Sequence, residues 1–356
     1  MYSESDIDAA VEAGALNAEA AASFRAHVAA MRTVPAVDEE SFRFLTGFND
    51  IFVSIAAVLM LVAMGWMGNM IRFMAPDGGP SPFIGFAVAG TAWGLAEYFT
   101  RERRMALPSI ILLLAFAGGL LGGFAILVGV MLDPGDQSND ERLVALIGSV
   151  AAAVTAGGVW LHWRRFMVPI TVAAGAAAAA GLVLCLAVAA VPSLADHLFP
   201  LLLVAGVAVF AVAMWWDMGD RARTTRRSDV AFWLHLLAAP MLVHPIFAML
   251  GMLQGTAAPA QAAVVILLYI LLAVVALAID RRALMVSALV YVLYALSSLI
   301  KSSGAVDLSF GLTALIIGSA LLLLSAFWTA ARRQVVGWLP GDLALKLPVV
   351  DRPMPA

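Results

Sequence analysis

The side chains best suited to chemistry lie in one apolar stretch, DVAFWLHLLAAPMLVHPIFAML (229–250), which holds two histidines and two prolines. Imidazole is the side chain whose charge changes nearest neutral pH. Pro240 and Pro245 each lack an N–H, which frees the carbonyls of Leu236 and Met241 four residues earlier. A free carbonyl at membrane depth must face protein or a wet cavity. The helix is therefore expected to kink inward and to direct His244, near its middle, into a bundle. His235 falls nearer the end, where it is expected to reach the headgroup layer and water. Nine residues separate the histidines, roughly 180° around a straight helix at about 100° per residue, so they are poorly placed to share a metal. Met241 and His244 share a face, but with 17 methionines in the chain this pairing carries little weight, and neither metal nor cofactor is expected.

A second stretch supplies hydrogen-bonding partners. Tyr291, Tyr294 and Ser298 recur at i, i+3 and i+7 on one face, and Tyr269 in the preceding stretch could join them. These groups either line a polar path or knit neighbouring helices together; interhelical hydrogen bonding is the commoner use.

Enzyme chemistry is otherwise missing, and no enzyme is expected. The only lysines, Lys301 and Lys346, follow no glycine-rich phosphate loop, and neither H-E-x-x-H nor G-x-S-x-G occurs. The single cysteine, Cys185, excludes an internal disulfide.

The elements that must hold these residues follow from composition. Hydrophobic residues make up 63% of the 356 and charged residues 13%, a balance that excludes a soluble domain, a disordered chain and a nucleic-acid binder. Ten stretches approach the length of about 20 apolar residues that a membrane helix requires. They are 51–71, 83–100, 107–132, 143–162, 167–191, 198–216, 230–253, 261–279, 283–300 and 308–330. The expected fold is an all-α polytopic membrane bundle, with the lipid bilayer as its first partner. Asn49 and Asp50 are expected to cap the first span. Within the spans the only Asp, Glu, Lys or Arg is Glu97, four residues before Arg101 and expected to pair with it. The lack of a deep carboxylate argues against an ion-driven pump.

The connections alternate. RERR, HWRR, DRARTTRR, DRR and ARR follow the even-numbered spans and hold 13 Lys or Arg; the odd-numbered connections hold only Arg72, Arg142 and Lys301. Lys/Arg excess marks cytoplasmic loops, so both termini are expected inside. Trp93, Trp160, Trp163, Trp215, Trp216 and Trp328 cluster at that edge and read as an interfacial belt. RRMALP (103–108) and RRFMVP (164–169) raise internal duplication, which convergence explains equally well. Gly118, Gly119, Gly122 and Gly123 give two overlapping G-x-x-x-G steps for close helix contact.

Residues 1–46 form a leader, 47–333 the bundle and 334–356 a cytoplasmic tail. The leader is acidic and does not read as a secretory signal. A first helix from Ser5 is expected to stop at Gly14; a second, capped by Asn17, runs from Ala18 to Met31 and closes at Pro35. This pair is either a dock for a cytoplasmic protein partner or a solvated leader; its acidity argues against nucleic acid.

The leader DIDAAVEAGALNAEAAASFRAH, the Arg-Arg-linked hairpins and the ending LLLLSAFWTAARRQVVGWLP resemble bacterial multi-pass membrane proteins of a domain-of-unknown-function class. That resemblance implies a bacterial inner membrane and brings no substrate or catalytic residue. The expected function is a passive or weakly coupled small-solute permease with its path around the seventh span; a non-transporting scaffold or sensor that docks a partner through the leader is the alternative. Orientation is tested by labelling. With Cys185 replaced by Ala, single cysteines at Ser138 and Ser302 should react with an impermeant thiol reagent outside intact cells, and one at Thr224 should not. The reverse pattern overturns the orientation.

Overall fold

The computed structural model describes residues 4–31, 48–75, 79–132, 140–221, 223, 225–251, 259–302 and 309–349. Pro35 lies outside them, as do most residues of the loops at 133–140, 252–258 and 303–308. Among the described residues every regular element is helical. The chain divides into two compact units, Met1–Arg43 and Phe44–Ala356.

The first unit contains α1 (Glu4–Glu12) and α2 (Ala18–Met31). Gly14 sits at φ +69° just beyond α1, a backbone state that glycine adopts without steric cost. Asn17 accepts the Ala20 N–H at 2.6 Å and caps α2 as the sequence predicts.

The second unit contains α3 (Phe48–Met70), α4 (Phe83–Ala96), α5 (Ala106–Leu132), α6 (Glu141–Phe166), α7 (Ile170–Ala190), α8 (Leu198–Met218), α9 (Arg226–Met249), α10 (Pro259–Ile279), α11 (Ala283–Ser302), α12 (Ser309–Ala326), α13 (Trp328–Gly337) and α14 (Gly341–Ala344). Among the described residues, eight helices are long and apolar enough to cross a membrane. The protein is thus a multi-pass membrane protein with an all-α bundle.

Two of the ten expected stretches depart from a single long α-helix. The last stretch breaks at Phe327, where α12 and α13 meet at 76°; counted as one bent span, it raises the total to nine. α13 (WTAARRQVVG) carries two arginines and is much less apolar than α12. The second stretch, α4, has only 14 α-helical residues, about 21 Å against a hydrocarbon core of about 30 Å. It then widens into a π-helical segment, Glu97–Glu102, in which the Arg103 N–H reaches the Tyr98 carbonyl. Asn49 and Asp50 lie inside the first turn of α3, since that helix already begins at Phe48.

Helices joined by basic turns pack most extensively: α6 with α7, α8 with α9, and α4 with α5. Each of four such turns has one non-glycine residue in the left-handed region: Arg104, Met167, Arg223 and Asp280. The two RR-x-x-x-P motifs nonetheless differ locally. Arg104 is the second residue of the first motif and Met167 the fourth of the other; Pro108 lies inside α5, whereas Pro169 precedes α7. The motif match therefore aligns residues that are not structurally equivalent.

One glycine stripe of α5 does the packing. A Cβ at Gly119 would lie 2.6 Å from the Gly85 carbonyl oxygen, and one at Gly123 would lie 2.8 Å from the Phe86 ring. Nothing lies within 4 Å of a Cβ at Gly118 or Gly122. Gly119→Ala should therefore force α4 and α5 apart and cost about 1–3 kcal/mol. Gly118→Ala should cost nothing or gain slightly, because alanine is the better helix former. Unfolding of the purified variants in detergent distinguishes them; equal midpoints would refute the close α4–α5 contact.

Candidate functional site

α9 is the axis of the site. In its most apolar stretch 61% of residues are buried, against 17–33% in the other seven candidate spans. Thr225 caps its start by accepting the Arg227 N–H at 3.2 Å. Both prolines lie within one continuous helix; Pro245 is buried and Pro240 is exposed. The Met241 carbonyl, deprived of its donor by Pro245, is met by α8. A Cβ at Gly206 would lie 2.8 Å from the Met241 carbonyl oxygen, so only glycine lets α8 approach and shield that freed group.

His244 points to α11, where its Nδ1 and the Tyr291 hydroxyl are 2.5 Å apart. Both residues are half-buried, and Phe199 and Phe247 lie against this pair edge-on and tilted, respectively. The other predicted residues do not gather there. Tyr294 is exposed, because Val292 and Ala295 take the buried face of α11. Ser298 is half-buried one to two turns further along. The Tyr269 hydroxyl is buried without a hydrogen-bond partner among the described residues.

His235 requires a correction. It is fully buried and does not reach water, because α8 extends two residues past its predicted end and places Asp217 against it. His235 Nε2 lies 2.8 Å from Asp217 Oδ2. A carboxylate only accepts, so Nε2 carries the proton and donates. Nδ1 then has no partner among the described residues, and no hydroxyl or thiol stands where a nucleophile would use it.

The same carboxylate holds Arg281. Its Nη2 is 2.5 Å from Asp217 Oδ1, its Nε is 3.2 Å from Oδ2, and Nη2 also donates to the Ser228 carbonyl. The next residue back, Asp280, accepts from Arg223 Nη1 at 2.7 Å and Trp328 Nε1 at 2.8 Å, with Arg332 Nε at 3.8 Å. Arg332 donates to the carbonyls of Pro348 and Val349, and Arg221 to that of Leu347. Residues at the ends of α8, α10 and α13 and the segment 347–349 are thereby tied into one buried polar cluster.

Asp280 reaches this geometry through a Schellman ending of α10. It sits at φ +56°, and the Arg281 N–H returns to the Ala276 carbonyl. Aspartate tolerates this backbone state better than most residues, and glycine would lack the carboxylate.

The basic turns therefore contain more than topological charge. Arg281 and Arg332 are 2% and 1% exposed. Trp328 is buried, and Trp93 packs among Phe116, His162 and Phe166, so neither belongs to an interfacial belt. Trp160 and Trp215 are exposed as a belt requires. Glu97 pairs with Arg101 as expected, but Arg165 of α6 holds it better, with two contacts at 2.8 and 2.9 Å. The available signal for the buried cluster was acidic: Asp217, Asp220 and Asp280 close spans at the edge where the topology rule calls for bases.

No family model, curated protein or solved structure matches the chain.

A buried pair stripped of one partner is costly, about 3–5 kcal/mol, whereas removing both charges together is often close to neutral. Arg281→Met should therefore destabilise strongly by leaving Asp217 uncompensated. The double variant Asp217→Leu/Arg281→Met should be more stable than Arg281→Met alone. Thermal unfolding in detergent reads both; a double variant that unfolds earlier than the single one would contradict the pairing.

Proposed function

We propose that the protein is a passive or weakly coupled small-solute permease of the bacterial inner membrane, with both termini cytoplasmic and its path running along α9 past His244 and Tyr291. The observation that carries this reading is the His244–Tyr291 contact: an ionisable and a phenolic group, both half-buried, on the most buried helix. Ionisable groups inside membranes are costly and concentrate at functional paths. The break between α12 and α13 adds support, since interrupted helices are a recurring feature of transport bundles. The excess of Lys and Arg in alternate turns supports the orientation, and the resemblance to bacterial multi-pass proteins supports the membrane.

A second reading, a scaffold or sensor that docks a cytoplasmic protein, is favoured by the leader alone. Met1–Arg43 forms its own compact unit, and Phe24 of α2 is exposed.

Flux separates the two. Proteoliposomes should take up glycerol or urea faster than empty vesicles in stopped-flow light scattering. His244→Leu should abolish the difference while leaving the unfolding temperature nearly unchanged. A purely structural histidine gives the opposite emphasis: flux equal to empty vesicles for all proteins, and a loss of about 1–3 kcal/mol from the stranded Tyr291 hydroxyl. Tyr291→Phe should follow His244→Leu in whichever direction that variant moves.

A further inference from the structure

The bend at Phe327 opens a crevice of about 120 Å³ between α10, α11 and the α12–α13 junction. Its walls are Leu289 of α11 and Leu324 and Ser325 of α12, and Tyr269 of α10 and Trp328 also line it. One cation stands on its rim: Arg282, in the turn between α10 and α11, lies with its guanidinium 4.8 Å from the centre of the Trp328 ring. The crevice thus starts at the water-facing end of the spans, beside a positive charge, and continues between apolar helix faces. Val286, on the same wall, is 62% exposed on the outer surface of the bundle, so the opening faces the lipid side.

We propose that this crevice binds one anionic glycerophospholipid of the leaflet on the basic-turn side, independently of whether the protein transports. The charge and the shape select the occupant. An apolar slot with a guanidinium at its polar end complements an acyl chain joined to a phosphate, since arginine presents several donors to phosphate oxygens. The Trp328 ring beneath the guanidinium holds it by a cation–π contact and keeps it at the rim. The Tyr269 side chain adds to the apolar wall, its own hydroxyl being closed off inside the bundle. Asp280, two residues before Arg282, does not repel the headgroup. Its carboxylate is neutralised by Arg223 and Arg332 and hydrogen-bonded to Trp328.

The purified full-length protein is tested with a phosphatidylglycerol carrying a diazirine on one acyl chain, and with the matching phosphatidylcholine. Illumination should place the phosphatidylglycerol label on the crevice walls, at Leu289, Leu321 or Leu324. Arg282→Gln should lower that yield about fivefold, as expected for one cation near a charged lipid surface, and leave the phosphatidylcholine yield unchanged. Leu289→Trp and Leu324→Trp, each filling the slot from one wall, should remove crevice labelling while labelling of outward residues such as Leu267 persists. Labels confined to outward residues in the wild-type protein would overturn the proposal. So would equal crevice yields for the two lipids, or a yield unaffected by Arg282→Gln. The wild-type and Arg282→Gln measurements decide the matter even where a tryptophan variant fails to fold.

Discussion

The second half of the bundle depends on a single constraint: a charge taken out of water at the membrane edge must find its counter-charge inside the protein. Asp217 is 1% exposed, and alone it would be prohibitively costly there. Arg281 meets it through two nitrogens and His235 through a third. Because these three residues come from α8, the α10–α11 turn and α9, satisfying the carboxylate fixes how three helices end relative to one another. Asp280 repeats the logic one residue away with Arg223, Arg332 and Trp328, which brings in α13. Such clusters add little net stability over a well-packed apolar alternative, but they penalise every arrangement that separates the partners. Their contribution is to register: helices with smooth apolar faces could slide, and these cannot slide without exposing a charge to lipid.

The first half is held by a different means. α4 and α5 touch backbone to backbone, with Gly85, Gly119 and Gly123 removing the side chains that would keep them apart. Gly68 of α3 approaches the Phe83 carbonyl in the same way. Lipid offers no hydrophobic drive for helices to associate, so close van der Waals contact must supply it. α9 uses this device once, where Gly206 brings α8 onto the Met241 carbonyl that Pro245 leaves free. There the close approach serves polar satisfaction as well as packing. The two prolines themselves are placed differently: Pro245 is buried within the bundle, while Pro240 lies on its exposed side.

Much of this was legible in the sequence because the signals are local. Gly14, Asn17 and the apolar runs mark helix ends and spans through residues only a few positions apart. The bend at Phe327 was not, since a hydropathy run from 308 to 330 averages an apolar α12 with the start of an amphipathic α13. The π-helical turn at Glu97 is likewise invisible to periodicity. His244 and Tyr291 were singled out for the right kind of contact, but Tyr294 was placed with them by spacing alone, and Val292 and Ala295 take the buried face instead. The buried cluster was missed for a physical reason. Counting Lys and Arg per loop treats each charge as independent and solvated, whereas Asp217 and Arg281 lie 64 residues apart and matter only as a pair.

Arg281 and Arg282 show how one dipeptide can serve both purposes. Asp280, in the left-handed region, ends α10 and turns the chain so that successive residues leave it in different directions. Arg281 goes inward to Asp217 and is 2% exposed; Arg282 lies over the Trp328 ring on the rim of the crevice. The first fixes the bundle, and the second presents charge at the membrane surface. Both count equally toward a positive-loop bias, so the bias places the turn without revealing the division. That division is set by the backbone at Asp280, whose side chain also anchors the neighbouring helix through Trp328. A change of conformation at this one residue would therefore move the buried pair, the rim charge and α13 together.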